Sequence, residues 1–451
     1  MPFTEPSALV PVVTAGAPGW DEARRAWDLA ADQRPAAIAV PATAQDVVAA
    51  VGAARRRGLR ISAQGTGHGA AALGPLEETL LVRTSGMRGI RVDPAAMTAQ
   101  VQAGVTWQEV AETAAAQGLA ALAACSPDVG VVGYTLGGGI GWLGRSYGLS
   151  ANNVEAFEVV TADGRLVRAD VAREPDLFWA LRGGGGSFGV VTAAELRLYP
   201  ITEVYAGLLL WPAAEAPEVL AAWRELTSGD LPDEFTTAVR LMSFPAVPGI
   251  PAVLHGRSAV VVYAVHLGLP GEADALLAPL RALRPEKDTV RTIPITALGR
   301  VHLDPEGPTP YTVDGLLLAG LPAAAIDQII AAAPPEGRSP LVMVEVLHLG
   351  GELARARPHS GALAAVDAPY LLLAGGLTAT PQLAATVATG VRDLQAAVSD
   401  WEAPQRYLNL ARAHADPARF WSPDAYHRLR RVKAAVDPLD LIRGNHPVPP
   451  A

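Results

Sequence analysis

A glycine-rich loop directly after a short apolar strand constrains this chain more than any other feature. Residues 59–64 have the pattern of a strand, and residues 65–69 then place three glycines around Thr66 and His68. Glycines adopt backbone angles that other residues avoid, and they let N–H groups approach a bulky anion closely. A histidine in such a loop lies within reach of whatever the backbone binds. The pattern predicts a ligand-binding loop, and a glycine-rich turn with a surface histidine is the alternative.

The length and charge of the chain exclude several classes of protein. With 451 residues, half of them hydrophobic, the chain is too long for one core, and we expect two or three domains. The formal net charge of -9 argues against nucleic acid or an anionic membrane as a partner. No apolar run is long enough to span a membrane, and residues 1–19 lack the pattern of a secretory signal. Because nearly all basic residues are arginine, the composition indicates a GC-rich bacterial genome and a cytoplasmic protein.

Cysteine and histidine usage limits the chemistry further. Cys125 is the only cysteine, so neither an intramolecular disulfide nor a cysteine-based metal cluster is possible. The nine histidines show no paired-ligand spacing, and we predict no metal. The sequence has no G-x-x-x-x-G-K-[ST] run, which excludes a P-loop.

The first 200 residues mix helices with short strands. Thr43 and Asp46 predict the start of a helix that ends at Gly58, while Thr106 and Glu109 predict a capping box for a second helix. Further elements are expected as strands at 37–40, 79–83, 89–92 and 98–102, a hairpin at 157–168 with a two-residue turn at 163–164, a helix at 175–182 and a strand through 195–199. This order is typical of an α+β fold rather than of repeating βαβ units.

A second glycine-rich stretch runs from residue 123 to residue 153. Its Gly139, Gly141 and Gly144 satisfy the dinucleotide-binding pattern G-x-G-x-x-G. That motif needs a helix of three turns directly after it, and Gly148 would interrupt such a helix. We therefore reject a dinucleotide fold of that type.

The pattern of predicted strands and helices changes after Pro200 and again near residue 400. Between these points, strand-like runs at 205–210, 259–265, 341–347 and 370–374 alternate with alanine-rich helices at 216–226, 273–283, 323–332 and 380–398. We expect an antiparallel sheet backed by helices, with loops at 245–251 and 304–310. Residues 401–451 then contain a predicted short strand at 406–410 and a helix at 423–436.

Several short motifs occur together along nearly the whole chain. They are Gly-Thr-Gly-His at 65–68, Ser-Pro-Asp-Val-Gly at 126–130, Leu-Gly-Gly-Gly at 136–139, Tyr-Gly-Leu at 147–149, Asp-Leu-Phe-Trp-Ala-Leu-Arg-Gly at 176–183, Phe-Gly-Val-Val-Thr at 188–192 and Tyr-Leu-Asn at 407–409. In this order and spacing they resemble the berberine-bridge-enzyme-like flavoproteins of the vanillyl-alcohol oxidase / p-cresol methylhydroxylase superfamily.

The resemblance implies a two-part FAD-binding domain of the PCMH type with an inserted substrate domain. The FAD domain would comprise residues 1–200, with a core of about 34–200, and residues 401–451 would return to it. Residues 201–400 would form the substrate domain from an antiparallel sheet plus helices.

The resemblance also implies that FAD is covalently linked through His68. Many members add a second bond from a cysteine in a C-P-x-V-G loop. Here Ser126 takes that place and Cys125 lies one position too early; a one-residue shift turns a side chain to the opposite side of an extended segment. We therefore expect a single covalent bond, as in members of the 6-hydroxynicotine-oxidase type. The residues expected to bind FAD are Gln64, Gly65, Thr66, Gly67, His68, Gly69, Ser126, Val129, Gly130, Gly133, Leu136, Gly137, Gly138, Gly139, Gly141, Tyr147, Val190, Val191, Tyr407 and Asn409.

Members of the family use a tyrosine in the C-terminal motif as a base, and that position is Tyr407. A phenol with a pKa near 10 needs help from a neighbouring positive or polar group. The alternative is that Tyr407 packs against the flavin while Asn409 closes the sheet, and Leu410 stands where relatives often have a second tyrosine. Glu345 and His348 are further candidates, but along one strand they face opposite ways, so at most one points at the flavin.

The resemblance predicts an FAD-dependent oxidase that transfers hydride from an alcohol or amine C–H of a small molecule to flavin N5, with O2 as acceptor. A tailoring enzyme of secondary metabolism, which forms a ring or a double bond in a natural product, is one alternative. A protein that retains flavin without turnover is another. The sequence names neither the substrate nor the oligomeric state.

Overall fold

The computed structural model describes residues 12–74, 76–244, 246, 255–334, 339–412 and 415–451, which form three sheets flanked by helices. The N-terminal unit (residues 12–200) holds two of the sheets. Its strands are β1 (Val12–Thr14), β2 (Ala37–Ala39), β3 (Arg60–Gln64), β4 (Thr79–Arg83), β5 (Ile90–Asp93), β6 (Thr98–Gln102), β7 (Val154–Val160), β8 (Leu166–Ala169) and β9 (Val190–Arg197). Its helices are α1 (Trp20–Ala23), α2 (Ala44–Arg57), α3 (Trp107–Ala115), α4 (Val131–Leu136), α5 (Gly144–Tyr147) and α6 (Pro175–Leu181).

The two sheets of the N-terminal unit differ in strand direction. Strands in the order β1-β2-β4-β3 form the first sheet, in which β2, β4 and β3 run parallel. Strands in the order β5-β6-β9-β7-β8 form the second sheet, which is antiparallel throughout. The predicted α+β class is confirmed, because helices and mixed sheets share one chain without a repeating βαβ order.

Helix α2 shows how the sequence sets these elements locally. The Thr43 hydroxyl accepts a hydrogen bond from the Asp46 N–H, and the Asp46 carboxylate accepts from the Thr43 N–H, so the predicted cap is a full capping box. Gly58 ends the helix with a φ of 65°, a left-handed conformation that suits glycine. The buried face of α2, which includes Val47 and Val51, packs into the core beneath the first sheet. Strand β3 and its loop are thereby fixed directly after the helix.

The middle unit (residues 201–400) is built on one antiparallel sheet. Its strands are β10 (Glu203–Pro212), β11 (Phe235–Phe244), β12 (Arg257–His266), β13 (Lys287–Asp288), β14 (Arg291–Pro294), β15 (Tyr311–Leu318), β16 (Met343–His348) and β17 (Tyr370–Leu377). The order is β13-β10-β12-β11-β16-β17-β15, with β14 also paired to β10. Its helices are α7 (Ala216–Ser228), α8 (Pro270–Ala282), α9 (Ala323–Ala332) and α10 (Pro381–Ala397).

The sheet of the middle unit separates two cores. One face packs on helices α7 to α10 through residues such as Trp223 and Leu394. The opposite face joins the core of the N-terminal unit through residues such as Tyr263 and Leu347. Any polar residue on this second face therefore lies between the sheet and the N-terminal unit.

The C-terminal segment (residues 404–412 and 415–451) contains helix α11 (Pro423–Val436) and contacts the N-terminal unit at several points. Arg443 N–H donates to the Ile61 carbonyl in β3, and Trp421 Nε1 donates to the Gly183 carbonyl. Lys433, which is completely buried, donates to the Ser187 carbonyl at 2.8 Å. The segment also touches the middle unit, since Arg406 donates to the Gly315 carbonyl.

Three expectations need correction. Residues 406–410 are not a strand; a 3-10 turn at Leu408–Leu410 replaces it. The hairpin of β7 and β8 has a longer connection than the predicted two residues, because Val160 pairs with Leu166. Strands β11 and β15 were not predicted. The predicted loop at 245–251 lies almost wholly outside the described residues.

Within the described part of the chain, no helix is both long and apolar enough to cross a membrane. The same residues hold no group of three or more histidine, cysteine, aspartate or glutamate side chains placed to bind a metal ion.

Candidate active site

The His68 ring, in the loop after β3, is contacted on both edges and on one face. The Thr66 hydroxyl lies 2.8 Å from His68 Nδ1, and the Trp27 ring stacks on the imidazole with centroids 4.1 Å apart at 17°. Gly67 adopts a φ of 93°, and a Cβ there would lie 2.9 Å from Ala26 Cβ. Glycine is therefore required for the close approach that brings His68 under Trp27.

Asp128 faces the remaining edge of the His68 ring. Its Oδ1 lies 3.5 Å from His68 Nε2, while its Oδ2 accepts hydrogen bonds from Trp27 Nε1 at 2.6 Å and from the Gly307 N–H at 2.7 Å. Burial raises the pKa of Asp128, but its contacts with His68, Gly307 and Trp27 outweigh that effect and bring the pKa to about 2. Asp128 is therefore a carboxylate at neutral pH.

The second glycine loop, at residues 137–141, closes on the C-terminal segment. Gly138 and Gly139 have φ values of 114° and 81°, which side chains rarely adopt. A Cβ on Gly137 would overlap the Asn409 side-chain amide, and one on Gly138 would lie 3.2 Å from the Tyr407 ring. The small size of these residues lets the 407–409 motif lie directly against the loop.

Tyr407 ends at the turn of this loop. Its hydroxyl oxygen accepts hydrogen bonds from the Gly139 and Ile140 N–H groups, each at 3.0 Å, and from Asn409 Nδ2 at 3.2 Å. Asn409 Nδ2 also donates to the Tyr134 carbonyl at 2.8 Å. Tyr407 and Asn409 converge as the strand prediction required, but a 3-10 turn brings them together. Burial raises the pKa of Tyr407 well above its ordinary value, although the three N–H donors oppose that rise.

A cluster of charged groups lies on the sheet face that meets the N-terminal unit; Arg240, Glu345 and His302 are buried, and Asp304 is half-buried. Arg240 Nε donates to Glu345 Oε2 at 2.7 Å, and its Nη1 donates to Asp304 Oδ1 at 2.6 Å. Its Nη2 lies 3.0 Å from His302 Nδ1, and His302 Nε2 faces Glu345 Oε1 at 3.4 Å. We call these four residues the Arg240 cluster.

The Arg240 cluster adjoins the second glycine loop. The Trp142 ring, one residue beyond that loop, meets the His302 ring edge-on with centroids 4.5 Å apart. Burial raises the pKa of Glu345, but Arg240 and His302 outweigh it and bring the pKa to about 2. Glu345 is therefore ionised but held by its partners.

His348 does not join these residues. It lies on the helix side of the sheet, where its ring packs on the Tyr370 ring with centroids 5.5 Å apart. Burial lowers the pKa of His348 to about 3, so its imidazole is neutral. Glu345 and His348 face opposite ways, as alternation along a strand requires.

The structure distributes the other predicted FAD-binding residues over the two loops and their supports. Ser126 donates to Asp128, and a Cβ on Gly130 would lie 3.2 Å from Thr66 Oγ1, so the 126–130 loop adjoins the His68 loop. Tyr147 packs against Tyr199 rather than against Tyr407. The rest occupy the following places: Gln64 ends β3, Gly65 and Gly69 flank the His68 loop, Val129 precedes α4, Gly133 and Leu136 lie in α4, Gly141 ends the second glycine loop, and Val190 and Val191 begin β9.

The buried polar atoms near both loops fit a large polar cofactor. Gln64 Nε2, Tyr134 Oη and Trp142 Nε1 are buried without a hydrogen-bond partner among the described residues. Buried polar groups are normally paired, so three such atoms around two glycine loops indicate a place for a ligand with several acceptors.

Sequence reasoning missed the Arg240 cluster and the role of Asp128. Arg240 lies in β11, which was not predicted, and Asp304 lies in a loop predicted only as a connection. Asp128 was part of a recognised motif, but its partners Trp27 and Gly307 come from distant parts of the chain, and nothing local indicates them.

Comparison with known proteins agrees with this arrangement. A family described as an FAD binding domain matches residues 35–170, and a family described as berberine and berberine-like matches residues 406–449. The chain thus combines an FAD-binding domain with a berberine-like C-terminal segment. It is therefore an enzyme, an FAD-dependent oxidoreductase, and its PCMH-type fold is confirmed.

Two of the similar proteins match nearly the whole chain, and a third matches about half of it. The chain is 29% identical over 455 residues to (R)-6-hydroxynicotine oxidase of Paenarthrobacter nicotinovorans. This match covers 96% of this chain and 95% of the relative. The crystal structure of 6-hydroxy-D-nicotine oxidase from Arthrobacter nicotinovorans superimposes with a TM-score of 0.84 at 26% identity over 99% of both chains. Glucooligosaccharide oxidase of Sarocladium strictum is 33% identical over 49% of this chain and 46% of the relative.

Proposed function

We propose that the enzyme is an oxidase that removes hydride from an alcohol or amine C–H of a small molecule and passes the electrons to O2. When bound, FAD supplies the hydride acceptor and the reaction with O2, while the protein orients the substrate and handles the proton. The observation that carries the proposal is that the Tyr407 hydroxyl is bound at the turn of the second glycine loop. The names of its relatives, which are oxidases of 6-hydroxynicotine and of oligosaccharides, support the same class of reaction.

The cofactor would be held by the two glycine loops and joined to the protein through His68. Ser126 occupies the place of a second attachment point and is not a thiol, while burial raises the pKa of the Cys125 thiol well above its ordinary value. A protonated thiol is a poor nucleophile. We therefore propose one covalent bond.

Tyr407 would act as the base that takes the proton from the substrate O–H or N–H. Three N–H groups already point at its oxygen, and such donors stabilise a phenolate more than a phenol. Because burial raises the pKa of Tyr407, only a small fraction is phenolate at neutral pH. Asn409 would hold the phenol ring of Tyr407 in place while the Tyr407 oxygen takes up and releases the proton.

The charge of the Arg240 cluster does not select one substrate class. Two carboxylates, Glu345 and Asp304, face Arg240 and His302. Burial and Arg240 lower the pKa of His302, but Glu345 and Asp304 outweigh them and raise it. With His302 protonated, the two cations and the two carboxylates cancel.

Peroxide release tests the proposed oxidase directly. With 6-hydroxynicotine and with cello- and chitooligosaccharides as probes, we expect hydrogen peroxide to form in proportion to substrate consumed under air. Reduction of the flavin without peroxide would instead indicate a dehydrogenase, and no reduction by compounds of either class would favour a protein that retains flavin without turnover.

We predict that the flavin stays with the protein after acid precipitation. The pellet should remain yellow, and mass spectrometry of a digest should place the flavin on the peptide that contains His68. His68→Ala should release all flavin into the supernatant, while Cys125→Ala should retain it. A flavin on Cys125, or a colourless wild-type pellet, would contradict single attachment through His68.

A further inference from the structure

The contacts around His68 fix the orientation of its imidazole ring, as is usual for a reactive histidine. Asp128 faces one ring nitrogen and the Thr66 hydroxyl faces the other, while Trp27 covers one face of the ring. A carboxylate beside one ring nitrogen of a histidine favours the tautomer that carries the proton on that nitrogen. The other nitrogen then keeps its lone pair for reaction. None of these three residues has a role in the reaction proposed above.

Asp128 is itself fixed from three separate parts of the chain. Trp27 Nε1 reaches it from the residues before β2, the Gly307 N–H reaches it from the loop at 304–310, and Ser126 Oγ donates to it at 3.3 Å. A second carboxylate, Asp28, lies nearby, but it is neutralised by Arg412 at 2.6 Å. Asp128 is therefore the carboxylate that faces the imidazole.

We propose that Asp128 is a positioning residue that keeps the His68 proton on Nε2 and thereby presents Nδ1 as the nitrogen that joins the flavin. The inference rests on the proposed attachment through His68. With the proton on Nε2, the Nδ1 lone pair points toward Thr66, whose hydroxyl donates to it until a carbon atom takes its place. Trp27 keeps the ring from turning over and exchanging its two nitrogens.

The attachment balances as an oxidation of the flavin methyl group. The Nδ1 lone pair forms a bond to the 8α carbon, that carbon loses one proton, and two electrons remain on the flavin. O2 then takes these electrons and two protons to give hydrogen peroxide. The second proton comes from the imidazole, since a neutral ring bonded to carbon at Nδ1 has no N–H left. Asp128 faces that proton and stabilises the positive ring that forms before it leaves.

The test measures the tautomer and the attachment separately. Full-length apoprotein labelled with ¹⁵N-histidine should show His68 protonated at Nε2, with His68→Gln assigning the resonance among the nine histidines. In Asp128→Asn the proton should distribute between both nitrogens. Acid-stable flavin should then form about 10- to 100-fold more slowly when this apoprotein is mixed with FAD under air. Asp176→Asn, which removes an exposed carboxylate on α6, should behave as wild type.

Each remaining outcome decides the proposal. Asp128→Asn with the wild-type tautomer and attachment rate, or a flavin bonded to Nε2 in the digested peptide, would overturn it. If Asp128→Asn does not fold, Trp27→Phe keeps a stacked ring and removes only the N–H to Asp128; slower attachment supports the proposal and an unchanged rate overturns it. Wild-type protein without covalent flavin would refute the attachment itself, whereas the ¹⁵N measurement on apoprotein still shows whether Asp128 fixes the tautomer.

Discussion

Replacing Tyr407 with phenylalanine should slow reduction of the flavin by substrate about 10²- to 10⁴-fold, the usual cost of losing a general base. The variant keeps the ring that packs on Gly138 and loses only the oxygen that three N–H groups surround. Stopped-flow absorbance under anaerobic conditions measures this step directly. The covalent flavin and its spectrum should be unchanged, and Tyr199→Phe, which removes a half-buried hydroxyl of the N-terminal unit, should reduce at nearly the wild-type rate.

The pH dependence of the same rate identifies the base. The phenol must lose its proton before it can accept one, and burial raises the pKa of Tyr407 above 10. With a neutral alcohol as substrate, the rate should therefore rise about tenfold per unit between pH 7 and 9. Glu345, whose pKa is about 2, would instead give a flat profile over this range. A flat profile together with a fast Tyr407→Phe variant would transfer the role to Glu345, and loss of bound flavin would show that Tyr407 is a packing residue.

Replacing Lys433 with methionine should lower the free energy of unfolding by about 3–5 kcal/mol, the usual cost of leaving a buried charge without its partner. The Lys433 ammonium is completely buried and donates to Asp437 at 2.6 Å, to the Ile442 carbonyl at 2.6 Å and to the Ser187 carbonyl at 2.8 Å. Methionine fills a similar volume but leaves the buried Asp437 carboxylate unpaired. Denaturant titration monitored by circular dichroism measures the difference.

The chain supplies its own control for this experiment. Lys287, the only other lysine, is exposed in the short strand β13. Lys287→Met should change the free energy of unfolding by no more than about 0.5 kcal/mol. A loss below 1 kcal/mol for Lys433→Met would show that the ammonium does not hold the C-terminal segment against the N-terminal unit.

The elements that could be predicted from sequence are those whose signals are local. The capping boxes at Thr43 and Thr106 lie within four residues of their partners, and both helices start where these boxes place them. Helix α11 and helix α9 likewise have the predicted bounds, because an apolar face repeats every turn within one short stretch. Strand β3 and its glycine loop were found for the same reason.

The elements that escaped prediction depend on distant partners. Strand β11 has Arg240 at its centre, which sequence patterns place at a surface, yet its partner Glu345 lies in β16 and makes the charge tolerable inside. Strand β15 carries Asp314 and Gly315, which weaken the strand pattern although cross-strand pairing with β17 holds the strand. The 407–409 motif alternates like a strand, but the hydrogen bond from Asn409 to the Tyr134 carbonyl holds it in a turn.

The contact between Lys433 and the Ser187 carbonyl also has a consequence for how the protein is made. Roughly 250 residues separate these two partners along the chain, and a ribosome adds about 5–20 residues per second. Helix α6 and the loop at Ser187 therefore wait about 10–50 s before helix α11, which packs on both, is synthesised. Tyr407 and Asn409, which lie against the second glycine loop, arrive in the same late portion of the chain. Completion of the cofactor site is thereby delayed to the last seconds of translation.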